Sequence, residues 1–172
     1  QSYANTFLSY ITTSTGTISP EFKKDILTYT VEVDNDVSSI EVFAAAENES
    51  NTVDGTGTYN LVPGNNKVSI TVTTSTGIKR VYYVNIVRKK KSNNYLEKLT
   101  VEANDELVKL TPTFSKDVTS YKVDVPKDVN KVIISATTSD SDAIITGIGT
   151  KKISAGENVF DVVVTAEDGS IK

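Results

Sequence analysis

The chain has no cysteine, histidine, methionine or tryptophan among its 172 residues. Each absence removes a class of chemistry. Without cysteine there is no disulfide framework, no thiolate nucleophile and no zinc–thiolate site. Without histidine the commonest general base and the commonest imidazole metal ligand are missing. The lack of methionine implies a mature or excised piece of something longer. Long apolar runs are also absent. None approaches the ~18 residues that span a bilayer, so no membrane insertion is expected, and no stretch reads as a signal peptide. Nor does charge of one sign dominate: 18 Lys and Arg face 22 Asp and Glu, for a net charge of −4. Neither half offers the basic surface that nucleic-acid binding requires. The one basic run, Arg88, Lys89, Lys90 and Lys91, reads as a solvated linker.

What is present points to a folded all-β protein. About 38% of the residues are hydrophobic and 23% charged, too apolar for a disordered chain. Thr and Val are rich and favour strands, while Asn, Asp and Gly supply turns.

The chain repeats itself. Shifted by 92 residues, it matches without a gap over residues 20–77. Pro20, Phe22, Lys24, Asp25 and Tyr29 meet Pro112, Phe114, Lys116, Asp117 and Tyr121. Val31, Val33 and Val37 meet Val123, Val125 and Val129, and Gly55, Gly57, Gly64 and Asn66 meet Gly147, Gly149, Gly156 and Asn158. Before Pro20 the offset is 88, pairing Leu8 and Ile11 with Leu96 and Leu99, so the second copy has gained four residues near 104–107. Each copy of ~80 residues is large enough for a small independent sandwich. The expected division is residues 1–88, a linker at 89–94 that is short, polar and able to bend modestly, and residues 95–172.

Period-two alternation runs through both copies. Tyr29, Val31 and Val33 face one side, as do Ile40, Val42 and Ala44, then Val68, Ile70 and Val72, then Tyr82, Val84 and Ile86. Such alternation belongs to a sheet with one buried face. Turn signals at Asp34, Asn35 and Asp36, at Pro63 and Gly64, and at Ser75 and Gly77 separate the strands. Several short strands at regular spacing predict two tandem Ig-like antiparallel β-sandwich domains. The copies differ at their ends. Lys172 is the partner of Arg80, so the second copy lacks the strand carrying Tyr82, Val84 and Ile86. That predicts an unpaired sheet edge, or a gap filled by a neighbouring chain.

Each copy resembles the cadherin-like β-sandwich domain of bacterial surface and secreted proteins. The resemblance rests on Leu96 and Leu99, then Pro112 and Phe114, then Asp117, Tyr121, Val123 and Val125, then Gly156 and Asn158, and finally residues 165–169, Thr-Ala-Glu-Asp-Gly. Together the two copies cover nearly the whole chain. It implies an Ig-like sandwich, often in tandem arrays beside other domains, on the cell surface or outside the cell. It implies no catalytic residues and no agreed ligand.

Candidate sites are few. Calcium wants six to eight oxygens, yet residues 89–94 are basic, and the clusters Asp34, Asn35, Asp36 and Asp140, Ser141, Asp142 read as turns. Copy two replaces Asp34 and Asn35 with Pro126 and Lys127. Asp25 and Asp117 read as turn residues bonding nearby backbone N–H groups, not as a glycosidase pair. The lysines fall on outward or turn positions, which argues against a Lys–Asn crosslink. Tyr29, Phe22 and Tyr82 read as core. Tyr10 and Tyr59 pair with Lys98 and Lys151, and Tyr83 is out of phase with Tyr82 and Val84. All three are therefore expected in solvent and are the candidate ligand-binding residues. No catalytic residue, metal or cofactor is expected. The leading expectation is a non-catalytic structural, spacer or adhesion module of an extracellular bacterial protein, its partners being the neighbouring domains. The alternative is a module that binds a glycan, such as cell wall, or a protein, and so targets its parent to a surface.

Overall fold

The computed structural model describes residues 4–172. Residues 1–3, assigned by the sequence to the first domain, lie outside the described residues. The chain forms two compact units, one up to Lys90 and the other Lys91–Lys172.

Unit 1 contains β1 (Leu8–Thr13), β2 (Ile18–Ser19), β3 (Thr28–Val33), β4 (Ser39–Ala46), β5 (Thr52–Asp54), β6 (Gly57–Asn60), β7 (Gly64–Thr73) and β8 (Lys79–Arg88). One sheet has the order β1-β4-β6 and the other β2-β3-β8-β7-β5. Every pairing is antiparallel except β3 with β8, which is parallel. The alternating apolar residues of both sheets point into one core. It holds Leu8, Ile11, Tyr29, Val31, Ile40, Val42, Val68, Ile70, Val72, Tyr82, Val84 and Ile86, with Val33 and Leu61 at its margin. Strand β8 is central to this. It forms ten ladder pairs with β7 and six with β3, and buries Tyr82, Val84 and Ile86 completely. Fully burying such side chains stabilises by ~1.5–3 kcal/mol each.

Unit 2 contains β9 (Leu96–Ala103), β10 (Glu106–Val108), β11 (Lys131–Thr138), β12 (Ile144–Thr146), β13 (Gly149–Lys152) and β14 (Val163–Thr165). Its first sheet, β10-β9-β11-β13, repeats β1-β4-β6 and adds one strand. The added strand is the four-residue insertion. Asn104 and Asp105, at φ of 52° and 63°, form a two-residue turn that pairs Ala103 with Glu106. Both residues with positive φ match the tight hairpin, whose twist such angles suit. Even the bulge in β1 between Leu8 and Tyr10 recurs between Leu96 and Lys98.

The second sheet of unit 2 is different. No strand among the described residues corresponds to β8, and the sheet divides into two pieces. One is β12 with β14, the counterparts of β5 and β7. The other is the bridge between Thr111 and Lys122, at the positions that join β2 to β3 in unit 1. Residues 121–125 and 156–162 keep the apolar alternation of β3 and β7 but form no strand. A strand needs a hydrogen-bonded neighbour, and the described residues place none between these two segments.

Packing follows the same split. Tyr29 is 1% exposed, whereas its counterpart Tyr121 is half-buried. Val68 is 3% exposed and its counterpart Phe160 37%. The core cluster of unit 2 keeps only Val101, Ala103, Val129, Val132 and Ile134 buried among the described residues.

Candidate functional site

The repeated motifs have structural work in both units. Tyr29 donates its hydroxyl proton to the Lys23 carbonyl (2.6 Å) and accepts the Lys23 N–H (3.1 Å). Tyr121 does the same with Ser115, at 2.7 and 3.1 Å. The hydroxyl satisfies both backbone groups of one turn residue six positions upstream. Phe22 stacks on Tyr29 with centroids 5.8 Å apart, and Phe114 on Tyr121 at 6.1 Å. Burial of the Tyr29 and Tyr82 hydroxyls pushes both groups above the ordinary tyrosine value, and backbone hydrogen bonds from Lys23 and Leu8 offset part of that shift. The same turn corrects the reading of Asp25 and Asp117. Their carboxylates make no hydrogen bond among the described residues. The turn is closed by Ile26 N–H to Lys23 O and by Val118 N–H to Ser115 O.

Asn66 and Asn158 pin the next turn. Asn66 accepts Val62 N–H and donates to the carbonyls of Val62 and Gly64. Asn158 repeats this with Ser154 and Gly156. Asn66 also donates to Ile86 O on β8, and Asn158 has no counterpart to that bond. Gly55 and Gly147 are required by close approach: a Cβ on either would collide with the carbonyl oxygen of Ser69 or Asp161.

The basic run is more engaged than a solvated linker would be. Arg88 clamps the sandwich by donating to the Asn35 carbonyl through Nε (3.0 Å) and Nη2 (2.7 Å), and to the Leu61 carbonyl through Nη1 (3.0 Å). Lys89 gives its N–H to Val33 O and approaches Asp34 at 3.4 Å. Lys91 lies 2.8 Å from Asp142 and 3.6 Å from Asp140, and its N–H donates to Glu167. The hydrogen bond to Asp142, followed by the Asp140 charge, holds the Lys91 ammonium above its usual value. Asn93 and Asn94 bond Ser139 and Ser170. Most of residues 89–94 is thus tied to one unit or the other. The acidic cluster at Asp140 and Asp142 faces a lysine, and no group of three or more acidic side chains suited to a metal occurs among the described residues.

The three candidate tyrosines do not come together. Tyr10 pairs with Ala45 on the outer face of β1-β4-β6 and is 42% exposed. Tyr83 is on the other sheet, 37% exposed, with the Lys67 ammonium 4.6 Å from its ring centroid. Tyr59 differs from expectation. It pairs with Ile40, packs against the core and donates its hydroxyl to the Gly55 carbonyl at 2.6 Å. The lysine at the equivalent position misled because β6 and β13 are sheet edges. Lys151, opposite buried Val132, is only half-exposed, and a lysine at an edge can lay its stem on the core with its charge in water. Phe43 was not singled out from the sequence, although its phase between inward Val42 and Ala44 gave the signal. It is 40% exposed and shares the outer face with Tyr10, two ladder positions away.

The fold, the doubled motif and the shared turn chemistry agree with comparison to known families. The family model described as a cadherin-like beta sandwich domain matches twice, over residues 8–89 and 96–172. The chain belongs to the cadherin-like beta-sandwich domain family. Cadherin-like domains are in general structural and adhesion modules and are a non-catalytic domain type. Neither a curated protein nor a solved structure matches the chain. No helix among the described residues is long and apolar enough to cross a membrane.

Proposed function

We propose that this pair of cadherin-like domains is a spacer in an extracellular bacterial protein, holding neighbouring domains at a set reach. The observation that supports this most is the internal use of the repeated residues. Tyr29, Phe22, Asn66, Gly55 and their copies each stabilise a turn or the core, so what the two copies share is mechanical. In unit 1 the last strand is held on both sides, by β3 and by β7. Tension applied at Lys89 loads both ladders together, a suitable arrangement for a load-bearing element. Pulling the chain between its ends should give two unfolding events, the unit 1 event at the higher force. A single event at low force for both units would remove the mechanical argument.

One observation favours a second reading, a surface-targeting module. Tyr10 and Phe43 expose two rings on one sheet face in unit 1 only, since Lys98 and Ser135 replace them in unit 2. Exposed rings on a flat face suit stacking against a sugar or a partner's apolar surface. Affinity electrophoresis against cell-wall and plant polysaccharides tests it, with Tyr10→Ala, Phe43→Ala, Tyr59→Ala and Tyr83→Ala in parallel. Retardation lost in Tyr10→Ala and Phe43→Ala replaces the spacer reading by a binding one. Unchanged mobility across the panel leaves the spacer.

A further inference from the structure

Each unit holds one aromatic ring between two cations, and only unit 1 neutralises them. There the Phe7 ring centroid lies 5.0 Å from the Lys24 ammonium and 4.2 Å from the Arg80 guanidinium. In unit 2 the Tyr95 ring lies 5.2 Å from Lys116 and 4.4 Å from Lys172, the counterparts of Lys24 and Arg80. The backbone around the ring is the same: Glu47 N–H donates to Phe7 O and Ser139 N–H to Tyr95 O, each at 2.9 Å. A ring face attracts each cation through its quadrupole but brings no net negative charge. Two cations on one ring therefore repel each other and gain from a neighbouring anion. Unit 1 supplies that anion itself. The Glu47 carboxylate lies 3.3 Å from Lys24, and Arg80 Nε donates to Thr6 Oγ1 at 3.0 Å.

Unit 2 has exchanged every one of these partners. Ser139 stands in place of Glu47, and its hydroxyl accepts from the Asn93 amide. Asn94 stands in place of Thr6 and turns to Ser170. Among the described residues neither the Lys116 nor the Lys172 ammonium pairs with a carboxylate. The acid that follows the first lysine, Asp25 or Asp117, is common to both units and pairs with neither. Tyr95 in place of Phe7 adds a hydroxyl to the group, without a hydrogen-bond partner among the described residues. Both lysines are exposed and the ring is half-buried, so the group is open to solvent. We propose that Tyr95, Lys116 and Lys172 form a receptor for an oxyanion of the phosphate type, which does in unit 2 what the Glu47 carboxylate does in unit 1. Two ammoniums supply charge and N–H donors, the phenol supplies an O–H donor, and a phosphate group has acceptor oxygens for all three. The inorganic ion and a phosphodiester in a surface polymer both present such oxygens. The site goes beyond the spacer reading and stands whether or not that reading holds.

The test titrates inorganic phosphate into the isotope-labelled full chain at fixed ionic strength and follows the backbone amide resonances. Fixed ionic strength removes the general screening of surface charge. Saturable shifts are expected at Tyr95, Lys116, Ser139 and Lys172, with Phe7, Lys24, Glu47 and Arg80 unmoved. Lys116→Gln and Lys172→Gln should each weaken the affinity by about tenfold, the loss of one charge-assisted contact. Ser139→Glu restores the acid of unit 1 and should abolish the shifts. The reverse change, Glu47→Ser, should bring saturable shifts to Lys24 and Arg80. Lys116, Lys172, Ser139 and Glu47 are all exposed, so these variants keep the fold. A glycerol phosphate polymer, compared with the free ion at equal phosphate, separates the two sources. Tighter binding per phosphate assigns the site to a polymer, and equal binding assigns it to the ion. Absence of saturable shifts in unit 2, equal shifts in both units, or shifts that survive Ser139→Glu would overturn the proposal.

Discussion

The two units share their motifs, their turns and their first sheet, and differ chiefly in one strand, so they form an internal experiment on what that strand does. In unit 1, β8 supplies three buried side chains, two ladders and the acceptor for the third bond that Asn66 donates. In unit 2, where none of the described residues occupies the place of β8, the difference reaches neighbouring segments. The counterpart of β3 is no longer a strand, the counterpart of β7 shrinks to Val163–Thr165, and Phe160 reaches solvent. The distant sheet keeps its pairing: β9, β11 and β13 retain the register and the bulge of β1, β4 and β6. A sandwich therefore tolerates damage in one sheet while the other holds its shape, because ladder hydrogen bonds are local and only the core is common to both.

The comparison can be broken most forcefully by damaging β8 where it exists. Val84→Asp puts a charge into the centre of the unit 1 core and should cost ~4 kcal/mol or more. Urea unfolding should then show unit 1 melting no later than unit 2. If unit 1 still unfolds well after unit 2, β8 is not the source of the difference.

A smaller effect sharpens the comparison at matched residues. Tyr29→Phe leaves the Lys23 backbone groups without their buried partner and should destabilise unit 1 by ~1–2 kcal/mol. Tyr121→Phe removes the same pair of bonds at a half-buried site that water can reach, and should cost less than ~1 kcal/mol. Asn66→Ala and Asn158→Ala should differ in the same sense, since only Asn66 reaches β8. Chemical denaturation of the four variants checks this ordering.

The smallest effects come with pH. Tyr29 and Tyr82 hold their protons more tightly folded than unfolded, so their contribution is complete below the ordinary tyrosine value near 10. It is lost as pH rises from there through the folded value, because the unfolded chain releases protons first. Lys91 is also raised, so the contribution of its pairing with Asp142 is complete below the ordinary lysine value and lost as pH rises through the folded one. Both units should lose stability in alkali. Tyr29→Phe and Tyr82→Phe should flatten the unit 1 profile above pH ~10, whereas Asp142→Asn should flatten only that of unit 2. At pH 7 solvent screening should leave the exposed Lys91–Asp142 pair little influence on stability, and added calcium should leave both melting temperatures in place.

Much of this was legible in the sequence. The alternation of Val31, Val33, Ile40, Val42, Val68 and Ile70 named the buried face, and the repeat doubled the reading. The four-residue insertion was visible as a length, but its fate as the β9–β10 hairpin was not. Asn104 and Asp105 had to take left-handed conformations that their side chains permit without demanding. Tyr59 was misplaced because a lysine in the other copy looks like solvent exposure, and only the position of β6 and β13 at sheet edges shows otherwise. Arg88 was read as part of a charge run. Its carbonyl partners, Asn35 and Leu61, are 53 and 27 residues away, and no local pattern announces such contacts.

The sequence by itself determined the fold class, the two copies and most of the inward residues, because period-two patterning and burial are local properties that repeat. The tertiary structure alone decided which rings share a face, what the basic run holds and how far the absence of β8 propagates. Those depend on which strands become neighbours, and neighbours in a sandwich are chosen by long-range pairing that single residues do not encode.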